Sequence, residues 1–380
     1  MAPSYLWRRP VIKFGTSTLT AGTTQLSLAK LTDLVEQIAT LRLAGVQPIV
    51  VSSGAIAAGR QRLGFPRERK DVSFNQVLAA VGQSRLMHLY DQFFEFHAIT
   101  SAQILLTRAD LSERQRYLNA RNTLLGLCDR GVVPIVNEND VVAADEIKVG
   151  DNDTLSALVA NLIDADLLVL VSDIPGLYTA DPLLNAQAEL VPEVEAITPQ
   201  IEAYAGTTRT ALGTGGMATK LSAAKLATSS GAEVRIVDGR ERDVLLRVMA
   251  GESLGTRFQP RTDPIEARKR WILSGLTHAG SLTVDDGATN ALLQRGASLL
   301  PAGIIGIRGA FDRGDSIDVV TSDGRQIAGG IANYHADDVH KIHGRQSSEI
   351  EQILGYSYGD YVIHRDNLVC FSAKEPVIHA

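Results

Sequence analysis

Short apolar runs alternate with longer stretches of helical periodicity from residue 10 to about residue 260. The apolar runs are rich in β-branched residues and predict buried strands at Val11–Phe14, Gln47–Ser52, Thr100–Leu106, Val132–Val136, Asp166–Ser172 and Glu233–Val237. Apolar residues three and four positions apart predict helices at Leu28–Leu43, Phe74–Phe96, Arg114–Leu127 and Thr154–Ile163. This alternation is typical of an α/β fold, with an open, mainly parallel sheet and helices on both faces.

The pattern changes near residue 260, where turn-forming residues are followed by short strands separated by glycines. Strands are predicted at Ser281–Val284, Gly303–Arg308, Asp315–Val320 and Ile327–Ala332, with one clear helix at Ala288–Arg295 that ends at Gly296. We therefore expect a large domain over residues 1–260, a linker over 261–277, a small β-rich domain over 278–357 and a C-terminal tail over 358–380.

Composition narrows the class of protein. The 380 residues are 45% apolar with a net charge of −6, which fits a globular protein of two domains and argues against a nucleic-acid binder that depends on clustered positive charge. No run approaches the roughly 20 apolar residues of a membrane helix, and the N-terminus has no signal-peptide pattern. The two distant cysteines, Cys128 and Cys370, predict no disulfide framework or zinc site. We expect a soluble protein of the reducing cytoplasm.

Polar residues follow several predicted strands at the end where open α/β sheets bind ligands. Lys13 ends the first strand beside Gly15, and Ser52, Ser53 and Gly54 end the second. Small residues before a helix allow the backbone to approach an anion closely. Without a functional role, Lys13 would be a surface lysine. The small residues at 52–54 would then serve only the tight packing of a helix on the sheet.

An acidic cluster follows the fourth strand at residues 137–140 and 148–153. Its carboxylates could bind the amino group of a zwitterionic substrate, coordinate Mg²⁺, or orient lysines that face a phosphate. The structural alternative is a solvated loop in which Asp151 or Asp153 caps the next helix.

Two further segments complete the set of candidates. Ser172 and Asp173 end the fifth strand, and a glycine-rich loop at residues 212–216 opens a helix that carries Lys220. This loop has neither the Walker A nor the GxGxxG spacing. Two lysines, an acidic cluster and two glycine loops favour phosphoryl transfer over hydride or acyl transfer.

The motifs together resemble the glutamate 5-kinase branch of the amino acid kinase family. The resemblance rests on residues 11–17, 52–60, 79–83, 137–140, 148–153 and 213–217. It implies an enzyme that uses ATP with Mg²⁺ to phosphorylate the side-chain carboxylate of L-glutamate, the first step of proline biosynthesis. The runner-up functions within the family are acetylglutamate kinase and aspartokinase, and a catalytically inactive regulator is the remaining alternative.

The resemblance also assigns roles to individual residues. Lys13 and Lys220 would stabilise the phosphoryl group in transit, and Asp153 would hold both lysines in place. The substrate-binding residues would be Ser53, Asp140 and Asn152. The ATP-binding residues would be Lys13, Ser172, Asp173, Thr214, Gly215, Gly216, Met217, Ala218, Thr219 and Lys220. The family usually has Thr where Ser172 stands, and the hydroxyl is kept.

Residues 278–356 resemble a PUA domain, a module known from RNA-modifying enzymes. This segment has six Lys and Arg against ten Asp and Glu, so its charge argues against RNA binding and favours a regulatory or assembly role. The partners implied by the resemblance are glutamate, ATP, proline as feedback inhibitor, a second or further copies of the chain in a homodimer or homotetramer, and glutamyl phosphate reductase.

Overall fold

The computed structural model of the protein describes residues 5–65, 72–143, 152–205, 216–261 and 279–371. The chain divides into two compact units, Met1–Pro264 and Ile265–Ala380, close to the boundary expected near residue 260. None of the helices in the described ranges is long and apolar enough to cross a membrane.

The described part of the first unit alternates strands and helices. Its strands are β1 (Pro10–Phe14), β2 (Ile49–Ser52), β3 (Ser101–Leu106), β4 (Val133–Glu138), β5 (Leu167–Ser172), β6 (Glu193–Val194), β7 (Glu233–Asp238) and β8 (Thr256–Phe258). Its helices are α1 (Thr16–Leu19), α2 (Leu28–Leu43), α3 (Ala55–Leu63), α4 (Val72–Glu95), α5 (Arg108–Ser112), α6 (Arg114–Asp129), α7 (Asn152–Leu162), α8 (Pro199–Tyr204), α9 (Met217–Ser229) and α10 (Val244–Met249).

Within the described residues, these eight strands form one sheet in the order β3-β4-β2-β1-β5-β7-β8-β6. The pairs from β3 to β7 are all parallel, and β8 runs antiparallel to β7. The fold class predicted from the sequence is thereby confirmed. Because parallel strands end at the same edge, the residues that follow β1, β2, β4, β5 and β7 come together there.

The core lies on both faces of this sheet. Ile12 and Phe14 pack in one hydrophobic layer with α2 and α4, whereas Val11 packs in the other with α7 and α9. Successive side chains of a strand point to opposite faces, and here both faces are apolar. Because both faces are covered, the sequences of the central strands are continuous apolar runs and do not alternate with polar residues.

Helices α3 and α4 cross at two glycines. A Cβ atom on Gly82 would lie 1.7 Å from the carbonyl oxygen of Ala55, and one on Gly59 would lie 1.9 Å from the carbonyl oxygen of Leu78. Backbone therefore packs directly on backbone at this crossing, which only glycine permits.

The second unit has its own sheet. Its described strands are β9 (Gly280–Val284), β10 (Ile304–Gly309), β11 (Ser316–Thr321), β12 (Gln326–Ile331) and β13 (Leu368–Cys370), in the order β10-β9-β11-β12-β13. Its described α-helices are α11 (Asp286–Arg295), α12 (Ala336–Ile342) and α13 (Ile350–Leu354). Sequence periodicity predicts α11 but not α12 and α13, because these helices are short and hold few apolar positions. Strand β13 pairs with β12, so part of the segment assigned to a tail belongs to this sheet.

We predict that Gly82→Ala destabilises the first unit by about 3 kcal/mol, because the new methyl group would force the backbones of α3 and α4 apart. Urea unfolding followed by circular dichroism measures the loss. Gly126→Ala is the matched control: Gly126 also lies in a helix, α6, but its Cβ would meet only the end of the Arg130 side chain, at 3.4 Å. If both substitutions lowered the free energy of unfolding equally, the close contact at the glycine crossing would not be the cause of the loss.

Candidate active site

A buried carboxylate holds two lysines at the centre of the sheet edge. Asp153 Oδ1 lies 2.6 Å from Lys13 Nζ, and Asp153 Oδ2 lies 3.2 Å from Lys220 Nζ. All three residues are buried, with 1% of Asp153 exposed. The group contains two ammonium ions and one carboxylate, so it has a surplus of one positive charge.

Three separate elements supply these side chains. Lys13 is near the end of β1, Asp153 is the second residue of α7, and Lys220 lies in the first turns of α9. The cap of α9 is Gly216, in extended conformation and without a side chain. A helix N-terminus attracts anions, so α9 adds its positive end to the charge of the lysines. Since Asp153 binds the lysines, helix capping is not the role of its carboxylate.

The hydroxyl of Thr219 is a further partner of the same carboxylate. Thr219 Oγ1 lies 2.7 Å from Asp153 Oδ2 and 2.8 Å from the carbonyl oxygen of Gly216. In this structure Thr219, which the resemblance assigns to ATP binding, contacts the ion cluster.

The lysines keep Asp153 ionised. Burial alone would raise the pKa of this carboxyl group, but the charges of Lys13 and Lys220, with hydrogen bonds from Lys13 and Thr219, hold the pKa far below its usual range. The carboxylate is therefore fixed in place as the counter-ion that keeps two like charges side by side. Such a group is suited to binding an anion with concentrated charge, such as a phosphoryl group.

The neighbouring residue, Asn152, contacts the other side of the sheet edge. Its Nδ2 lies 3.0 Å from the carbonyl oxygen of Ser52, 2.9 Å from Ser53 Oγ and 3.0 Å from Asn137 Oδ1. The start of α7 thus links the ends of β2 and β4 to the lysine cluster. Predicted substrate residues Ser53 and Asn152 are in direct contact.

Further residues outside the predicted site extend this network. Asn137 Nδ2 donates to Gln83 Oε1 of α4 at 2.8 Å, and Ser52 Oγ lies 2.9 Å from the hydroxyl of Tyr90, also of α4. Asn137 stands in a motif that the sequence singled out, so its position was detectable. Gln83 also stands in a motif on which the resemblance rests, residues 79–83, but periodicity does not identify the contact that Gln83 or Tyr90, inside a long helix, makes with a distant strand end.

Asp140 lies in the turn after β4 and is buried, with 9% exposed. Burial, together with the charge of Glu138, raises its pKa to about 6. Gln76 of α4 donates to its carbonyl oxygen at 3.1 Å. A buried carboxylate of this kind is stabilised when a cation, such as a substrate ammonium group, binds beside it.

The other side of the lysine cluster is formed by the ends of β5 and β7. Ser172 is buried, and its hydroxyl donates to Asp173 Oδ1 at 3.3 Å. Gly239, directly after β7, donates its N–H to the carbonyl oxygen of Ser172 at 2.7 Å. A Cβ on Gly239 would meet Thr18 and Val171 side chains at 2.8 Å, so only glycine fits this contact.

The remaining predicted nucleotide residues lie on α9 or before it. Gly216 caps the helix, and Met217 and Ala218 form its first two positions. Thr214 and Gly215 lie outside the described residues, as does the segment 148–151 of the acidic motif.

The described residues offer no preformed metal centre: no three His, Cys, Asp or Glu side chains among them cluster to hold an ion. In kinases Mg²⁺ is commonly held by substrate phosphates with one or two carboxylates and water.

Comparison with known sequences gives matches over both units. A sequence model of the amino acid kinase family matches residues 8–238, and a model of the PUA domain matches residues 280–354. The glutamate 5-kinase of Herpetosiphon aurantiacus is 54% identical over 366 residues, which cover 96% of this chain and 99% of that protein. The glutamate 5-kinase of Deinococcus radiodurans is 51% identical over 361 residues, which cover 95% of this chain and 99% of that protein.

We predict that Asp140→Asn makes the protein more stable at neutral pH. A carboxyl group with a raised pKa contributes stability that is present below its unfolded value of 3.8 and is lost as the pH rises through about 6. The stability gain of the variant should therefore grow by about 2 kcal/mol between about pH 4 and pH 7. Urea unfolding at several pH values measures it. Asp91→Asn, at an exposed position of α4, is the control; a gain that does not vary with pH would refute the buried ionisation.

Proposed function

The chain belongs to the amino acid kinase family, and we propose that it is a glutamate 5-kinase, which transfers a phosphoryl group from ATP to the side-chain carboxylate of L-glutamate. The observation that carries the proposal is the buried group of Lys13, Asp153 and Lys220 between two polar sites. Relatives named glutamate 5-kinase match nearly the whole chain, which supports this acceptor over other amino acids.

The reaction forms one bond and breaks one. A carboxylate oxygen of glutamate attacks the γ-phosphorus of ATP, the bond from that phosphorus to the β,γ-bridging oxygen breaks, and ADP leaves with the electron pair. The products are ADP and L-glutamyl 5-phosphate, an acyl phosphate. The acceptor is already ionised at neutral pH, since a glutamate carboxyl group has a pKa of about 4.3. The enzyme therefore needs no general base.

Catalysis then depends on position and charge. The ammonium groups of Lys13 and Lys220 lie against the phosphoryl group as it moves from one oxygen to another. Asp153 keeps both at fixed positions before the substrates arrive, so little reorganisation is needed during the reaction. A magnesium ion bound with ATP would supply further neutralisation of the phosphate charge.

Substrates approach the lysines from opposite sides. Glutamate binds on the side of β2 and β4, at Ser53, Asp140 and Asn152. ATP binds on the side of β5, β7 and α9, at Ser172, Asp173 and residues 214–220. Both substrates are anionic, and the lysine group between them offsets the repulsion.

The proposal extends to the properties implied by the resemblance alone. These are a cytoplasmic location, assembly into a homodimer or homotetramer, inhibition by proline, delivery of the acyl phosphate to glutamyl phosphate reductase, and a regulatory or assembly role, without RNA binding, for the PUA domain.

The acceptor is tested by measuring ADP release with L-glutamate, N-acetyl-L-glutamate and L-aspartate. We expect release with L-glutamate, and trapping of the product by hydroxylamine as a hydroxamate, which is diagnostic of an acyl phosphate. ADP release with another acceptor but not with L-glutamate would disprove the assignment, and no release with any of them would indicate an inactive regulator.

We predict that Lys220→Met lowers kcat by roughly 100- to 1,000-fold and changes the KM for glutamate by less than about threefold, because the charge matters most in the transition state. Lys225→Met is the matched control, since Lys225 lies on the same helix with 54% of its side chain exposed. Near-normal turnover of the Lys220 variant would remove this residue from the catalytic group.

A further inference from the structure

The side-chain amides of Asn152, Asn137 and Gln83 form a chain whose hydrogen-bonding direction is fixed. The carbonyl oxygen of Ser52 can only accept, so the group of Asn152 that faces it is the NH₂. That NH₂ also donates to Asn137 Oδ1, which accepts from the backbone N–H of Glu138 as well. Asn137 must then present its NH₂ to Gln83, whose oxygen accepts it. No amide in this chain can be flipped without losing a hydrogen bond.

The fixed direction leaves two atoms without a partner. Both atoms are buried: within the described part of the chain, Gln83 Nε2 donates no hydrogen bond and Asn152 Oδ1 accepts none. Buried polar atoms in folded proteins almost always have partners, so a ligand group is the natural candidate to supply them. One atom is a donor and the other an acceptor, and Asn137 bridges the two amides.

This pairing has the chemistry of a site for an amino acid. A zwitterion offers a carboxylate that accepts and an ammonium group that donates. We infer that Gln83 Nε2 binds the α-carboxylate of the substrate, while Asn152 Oδ1 accepts from its α-ammonium group. Asp140 supplies the negative charge near that ammonium group. The inference rests on the proposed function and names the residue that selects an α-amino acid.

The glycine crossing fixes the position of helix α4, which carries Gln83, relative to helix α3. Gln83 directly follows Gly82, the residue whose backbone touches Ala55. Seven positions earlier, Gln76 of the same helix holds the carbonyl oxygen of Asp140. Helix α4 thus positions both a binding amide and the acidic turn.

The test is Gln83→Glu in the full-length protein. The new carboxylate still accepts from Asn137 but cannot donate, so we expect the KM for L-glutamate to rise at least about tenfold while the KM for ATP stays within about twofold. Gln83→Met, which adds no charge, should raise the KM for L-glutamate as well. Gln92→Glu, at an exposed position of α4, is the matched control and should behave as wild type.

A substrate analogue shows whether Gln83 contacts the α-carboxylate itself or only positions other residues of the site. 4-Aminobutyrate keeps the reacting carboxylate and the amino group but lacks the α-carboxylate. Its inhibition constant against L-glutamate should change little in Gln83→Glu, because the analogue makes no contact with Gln83. An unchanged KM for L-glutamate, or an equal loss for glutamate and the analogue, would overturn the inference. Wild-type enzyme without glutamate-dependent ADP release would instead disprove the proposed function.

Discussion

The site is organised by the burial of three charges around Asp153. A carboxylate removed from water is costly unless cations compensate it, and two buried lysines would repel each other without it. The three charges must therefore fold together, which requires β1, α7 and α9 to meet at one sheet edge. The parallel order of β2, β1, β5 and β7 makes this meeting possible, because all four strands end on the same side. The two lysines that phosphoryl transfer would use are therefore also the cations that the buried carboxylate of Asp153 requires in the folded protein.

Asn152 and Asp153 join the two halves of the site through adjacent residues of α7. Asn152 contacts the ends of β2 and β4, and Asp153 contacts Lys13 and Lys220. Under the proposed function, displacement of the α7 start would therefore disturb acceptor binding and charge stabilisation together. In the part of the chain that the structure describes, the side of the site near β2 and β4 has a buried carboxylate with a raised pKa and the partnerless atoms Gln83 Nε2 and Asn152 Oδ1, which lower local stability. If these groups bind glutamate as proposed, they gain partners on binding, and the stability that their burial costs is recovered as substrate affinity.

The sheet could be predicted because it follows local rules, whereas the grouping of Lys13 and Lys220 around Asp153 was expected only from the family resemblance. Apolar runs marked each central strand, and the strand ends brought Lys13, Ser53 and Asp140 to one edge. Strand β8 is only three residues long, too short to show a pattern. The role of Gln83 depends on a contact with Asn137, 54 positions away, that no periodicity encodes. In α12, buried Asp338 breaks the apolar pattern and is held by Tyr356 from a distant turn.

The glycine crossing determines the shape of the acceptor side more directly than any side chain does. Gly54, next to Ser53, is the N-cap of helix α3, and helix α4 carries Gln76 and Gln83. The two helices touch through backbone atoms, so the distance between their binding groups cannot relax by a change of rotamer. Groups held on rigid helices keep their geometry better than groups on loops. Selection among small amino acids, which differ by single groups, requires such fixed spacing, and under the proposed function the glycine crossing supplies it through backbone contacts alone.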